Sequence, residues 1–148
     1  MNWYLLLKSL HVIAAITAVG ANLTYGVWAA RGTGSPDALG FALRGIKFLD
    51  DRIANPAYGV LLVTGLLMAI FYAGFHLWVF LGIAIYAVLA GVAIVAVSPA
   101  LTRQIRLVEA GAAGSAEYSA LAARVRGIGM FLSVLVLAVV FVMVFKPQ

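Results

Sequence analysis

Four apolar stretches, roughly 3–30, 55–74, 76–102 and 127–145, divide this sequence. Each approaches or exceeds the ~20 residues that a helix rising 1.5 Å per residue needs to cross a hydrocarbon core. Inside a bilayer the backbone must satisfy its own hydrogen bonds, so stretches of this length and polarity become helices. The expected fold is all-α: an integral membrane, antiparallel four-helix bundle, with residues 1–148 as a single membrane domain and loops at 31–54 and 103–126. Composition agrees, since 65% of the residues are apolar and only 10% charged. The first stretch is longer than the apolar core of a secretory signal and lacks a basic leader, so it reads as a retained span.

The net charge of +5 does not indicate nucleic acid, because the basic residues flank spans instead of gathering on one recognition element. Arg31, Arg44, Lys47 and Arg52 follow the first span, and Arg103, Arg106, Arg124 and Arg126 follow the third. Only Lys8 and Lys146 lie on the other side. The positive-inside rule then predicts a multi-pass protein of the cell inner membrane with cytoplasmic loops and both termini outside. Its immediate partner is the lipid bilayer, with self-association or membership of a larger membrane complex as further expectations.

Local signals organise the loops. Ser35-Pro36-Asp37 supplies a cap, a first-turn proline and a first-turn acid, predicting a short helix. Its apolar residues Leu39, Ala42, Leu43, Ile46 and Leu49 suit a helix lying along the headgroups. Asn55-Pro56 repeats the cap-proline pattern and predicts the start of the second span. Ala73-Gly74-Phe75 is short enough to force antiparallel neighbours. A helix restarting near Ser115 is expected to run unbroken into the fourth span, and Pro99 to kink the third.

Chemistry inside the spans is limited to few side chains. Lys8, His11, Ala15, Ala18, Asn22 and Tyr25 share one sector of the first helix at 100° per residue, which should point inward. Ala84, Ala87, Ala90 and Gly91 share a side of the third helix with His76, a small-residue face that a neighbouring helix or a flat cofactor could approach. Two imidazoles on different helices can hold the iron of a non-covalent haem b. Depth opposes a shared macrocycle, for His11 lies about 12 Å beyond Trp3 while His76 is barely past the turn. His76 also fits an aromatic belt with Trp78 and Tyr72, and Lys8 can snorkel to the interface. Asn22, Tyr25, Thr17, Thr24 and Thr64 suit interhelical hydrogen bonds, Gly20, Gly59, Gly65 and Gly82 suit packing notches, and Tyr58 and Tyr72 suit belts.

Without cysteine there is no covalent haem attachment or thiolate site. The carboxylates Asp37, Asp50, Asp51, Glu109 and Glu117 all fall in the loop segments, which leaves hydrolysis or a proton relay within the spans unsupported. Met68, Met130 and Met143 are scattered, unlike the clustered thioethers of a copper path.

Several short motifs run the length of the chain: Leu7-Lys8-Ser9-Leu10-His11-Val12, Arg44-Gly45-Ile46 with Asn55-Pro56, Thr64-Gly65-Leu66, Gly74-Phe75-His76 and Phe145-Lys146-Pro147. Together they resemble a superfamily of small four-span bacterial membrane proteins. It includes the HemJ-like protoporphyrinogen oxidases, the CopD-like proteins and, most similar, a related family of integral membrane proteins of unknown function. The oxidase resemblance implies a haem-binding bundle with the first-span histidine, His11 here, as a key residue. The residues themselves make His11 the expected haem-iron ligand and His76 a second candidate, with Lys8, Asn22 and Tyr25 as further cofactor-binding positions. The oxidase pattern has a lysine where this chain has Trp78, and an acidic residue and proline where it reads Arg124-Val-Arg126-Gly127. The resemblance therefore implies a tetrapyrrole site and not the oxidase reaction. The alternative reading is a non-catalytic accessory or scaffold subunit.

Overall fold

The computed structural model describes residues 2–147 and contains four long helices: α1 (Trp3–Arg31), α2 (Pro36–Ala73), α3 (Leu77–Glu109) and α4 (Ala116–Phe145). Side-chain caps begin three of them. Asn2 accepts from the Leu5 amide, Ser35 from Ala38 and Ser115 from Tyr118. Each satisfies one of the amides that a first helical turn leaves unpaired. Gly74, with φ 73°, turns the chain from α2 into α3 in a conformation that disfavours any side chain.

All four helices are apolar enough to cross a membrane. Their outward surfaces are apolar too: Ile94 and Val95 keep 71% and 77% of their area uncovered. Such faces would aggregate in water and are stable against lipid tails. The helices run alternately up and down. Tyr4 and Tyr72 pack with ring centroids 5.3 Å apart and planes tilted by 54°, and Lys146 lies 5.4 Å from the centre of the Trp78 ring. These contacts gather both termini at one end, the terminal end, and leave the two longer connections at the other, the loop end.

The cap-proline pattern at Asn55-Pro56 does not begin a helix. Asn55 has helical angles (φ −62°, ψ −46°), and α2 runs straight through it for 38 residues, about 57 Å. The turn before it, Asp50–Ala54, is opened to a π-helical spacing, with the Asn55 amide bonded to the Asp50 carbonyl. A proline lacks the amide for a normal turn and crowds the carbonyl four residues back. A wide turn just ahead of it relieves both problems without breaking the helix. Pro99 is handled the same way: Ala93–Val97 form a wide turn, and the Ser98 amide bonds to the Ala93 carbonyl.

The loop-side part of α2 does not lie along the headgroups. Its apolar face is buried, with Leu43 and Ile46 forming a core with Leu101 of α3, flanked by Tyr25, Trp28, Leu39, Ile105, Val108 and Tyr118. Exposed ion pairs cross this region, Arg44 to Glu109 at 3.6 Å and Arg103 to Glu117 with Nε at 2.8 Å. They link α2 to α3 and α3 to α4.

Candidate functional site

Within the membrane-spanning length, α1 packs on α2 and α3 on α4. Small residues allow the close approach in the first pair, where Ala14, Ala18, Ala57 and Ala69 are buried. Interior polar side chains of the spans gather along this α1–α2 seam, while buried Gln104 lies on α3 toward the loop end.

Nearest the terminal end, His11 is half-buried and its Nδ1 lies 3.0 Å from Oγ1 of Thr64. The Thr64 hydroxyl donates to the Val60 carbonyl at 2.7 Å, with the Leu61 carbonyl at 3.2 Å. A hydroxyl has one proton, so with that proton committed to the backbone its oxygen accepts from His11. The imidazole is thereby held with hydrogen on Nδ1 and a lone pair on Nε2. Gly65 makes room for the ring, for a methyl group there would come 3.0 Å from Cε1 of His11.

About three turns further along α1, Asn22 donates to the Tyr58 hydroxyl, and Tyr86 of α3 donates to the Tyr58 carbonyl at 3.2 Å. Tyr58 is therefore an interior residue and not part of a belt. Toward the loop end Tyr25 donates to Asp50 at 3.3 Å, and Asn55 donates to the same carboxylate at 3.5 Å. This cluster joins α1, α2 and α3 by the hydrogen bonds that unpaired polar groups in lipid would lack.

The other predicted positions separate from the seam. Lys8 is exposed, its ammonium 5.9 Å from the centre of the Tyr4 ring. His76 is exposed at the cap of α3, twelve positions after Thr64, so about 14 Å of helix to Ala73 and then a turn separate it from His11. Thr17 and Thr24 face away from the bundle and donate to their own helix at Ile13 and Ala21. A methyl at Gly20 or Gly59 would meet nothing within 4 Å, whereas Gly82 receives the tip of Met143 and serves as the notch between α3 and α4. Ala84, Ala87 and Gly91 on α3 are exposed and do not face α1.

Sequence reasoning missed Tyr58, Tyr86 and Asp50. Tyr86 carried a usable signal, a lone phenol in the middle of a long apolar run whose hydroxyl needs a partner.

Among the described residues no three His, Asp or Glu side chains come together to cage a metal. A tetrapyrrole iron needs only one protein nitrogen, and a neutral imidazole oriented by an acceptor on its other nitrogen meets that requirement. His11 and His76 are not brought together, so a bis-histidine site is not assembled.

Four apolar helices and an interior of sparse hydrogen-bonded polar groups define a small multi-pass integral membrane protein. The chain belongs to the family described as predicted integral membrane protein (DUF2269), whose family profile matches residues 5–147. No curated protein and no solved structure matches it.

Proposed function

We propose that this protein binds haem b or a related tetrapyrrole through a single axial ligand, Nε2 of His11. The observation supporting this reading is the Thr64 hydroxyl, which holds the imidazole in the tautomer a metal needs. Lys8, one turn earlier and exposed, supplies a cation for a propionate. Asn22 and Tyr25, engaged with Tyr58 and Asp50, steady the helices instead of touching the cofactor. The bound group would supply a one-electron couple or an open coordination position. Trp78 and Arg124-Val-Arg126-Gly127, where the oxidases carry other residues, favour binding over protoporphyrinogen oxidation. The absorption spectrum of detergent-purified protein, expressed with ample haem, tests the reading. A Soret band in wild type and His76→Ala, lost in His11→Ala, is expected; no band in wild type overturns it.

A second reading, an accessory subunit of a membrane assembly or of a homo-oligomer, is favoured by Thr17, Gly20 and Thr24. They form an exposed, close-approach face on α1 that the fold itself leaves uncovered. Purification in mild detergent tests it, an isolated monomer counting against it.

The distribution of basic residues supports placement in a bacterial inner membrane with both termini outside.

A further inference from the structure

α3 runs 33 residues, well beyond what the hydrocarbon requires. Ser98 lies twenty-one residues after Leu77, about 32 Å along the helix, against a hydrocarbon core of about 30 Å. The segment that follows therefore stands in the headgroup layer at the loop end. There an open, shallow depression on the helix surface is lined by Ser98, Pro99, Thr102, Arg103 and Arg106.

These residues recur at spacings of three and four, so they share one helix face. The same face continues toward the hydrocarbon through Val95 and Gly91, both exposed, with open space around Gly91. The stripe is thus graded along its length, from apolar through hydroxyl to guanidinium.

Its charge is unbalanced. Arg103 is held by Glu117, its Nε 2.8 Å from Oε1, which fixes the guanidinium in place. Arg106 has no carboxylate partner among the described residues, and the nearby Glu109 is paired with Arg44. Thr102 donates to the Ser98 carbonyl at 3.0 Å, so the free donors are the Ser98 hydroxyl and the two guanidinium groups. A planar guanidinium fork and a hydroxyl suit phosphate oxygens.

We propose that this face is a binding site for one anionic glycerophospholipid, its phosphate held by Arg106, Arg103 and Ser98 and an acyl chain lying on Val95 and Gly91. Two guanidinium groups against one carboxylate leave a positive charge, which selects a net negative headgroup over a zwitterionic one. The site is independent of His11 and of any cofactor.

Thermal unfolding of the detergent-purified full chain, titrated with phosphatidylglycerol, phosphatidylcholine or inorganic phosphate, tests the assignment. Phosphatidylglycerol should raise the midpoint at concentrations where the other two do not. Arg106→Gln should weaken its apparent affinity about tenfold, as loss of one charge-assisted contact requires, and Ser98→Ala should weaken it less. Arg126→Gln, which removes an exposed cation on α4, should leave it unchanged. Equal effects of both lipids, or an Arg106→Gln variant that binds as wild type does, would overturn the site. Equal weakening by Arg126→Gln would reduce it to diffuse surface attraction, and reproduction by inorganic phosphate alone would overturn the lipid as ligand.

Discussion

Nδ1 of His11 and Oγ1 of Thr64 lie 3.0 Å apart across the α1–α2 interface, joining residues 53 positions apart in sequence. The pair both ties two helices together and decides which imidazole nitrogen remains free. Structural and chemical roles can be separated by substitution.

Thr64→Val removes the acceptor while keeping the shape. A double-mutant cycle with His11→Ala should give a coupling near the membrane average of about 0.6 kcal/mol, and below about 2 kcal/mol. Haem affinity in Thr64→Val should fall about 10- to 100-fold, the usual effect of losing the partner that orients a metal-binding histidine. Unfolding in mixed micelles and haem titration measure the two quantities separately.

Glycines along the bundle should respond unequally. Gly65→Ala drives a methyl against the stiff His11 ring, so it should cost about 1–3 kcal/mol and disturb the His11 site. Gly59→Ala, with nothing within 4 Å, should be neutral or stabilising. Gly82→Ala meets only the flexible tip of Met143 and should cost less than Gly65→Ala. Thermal melts of the three variants give the order.

A π turn amounts to one extra residue inserted into a helix. Deleting Ile53 together with Pro56→Ala should therefore restore ordinary turns and keep the faces of α2 in register on both sides. Deleting Val63 should rotate half the helix by about 100° and disrupt the seam. Size-exclusion profiles and melting curves distinguish the outcomes, and an Ile53 deletion as damaging as that of Val63 counts against the account.

The chain has no native cysteine, so single introduced cysteines report topology directly. On the orientation proposed above, Phe75→Cys should react with an impermeant maleimide in intact cells, while Thr33→Cys and Ala112→Cys should react only after lysis. The reverse pattern would invert the orientation.

Four spans were legible because lipid imposes length and polarity on each helix, and the cap at Ser35, the helix restart near Ser115 and the turn at Gly74 were legible because local geometry demands those residues. His11, Asn22, Tyr25 and Thr64 were readable as inward-facing, since polar groups in lipid seek partners. Other assignments failed for physical reasons. Cap-then-proline is written identically whether it begins a helix or follows a wide turn, so Asn55-Pro56 was misread. Thr17 and Thr24 can satisfy their hydroxyls on their own backbone, so they need no neighbouring helix. Helix faces packed on protein and on lipid are equally apolar, so periodicity could not say that α1 meets α2 instead of α3.

The two wide turns that precede prolines also bear on how the loop end is carried. Gly40 packs near Val108 at the loop end, and Tyr58 meets Tyr86 deeper in the bundle. Asp50–Ala54 and Ala93–Val97 fall between those contacts on their respective helices, at matching heights. Both helices that carry the Leu43–Ile46–Leu101 core thus widen between the same two contacts. The loop end also rests on α1 and α4, which pass that level as unbroken α-helix, so tilting it would have to bend those two helices as well.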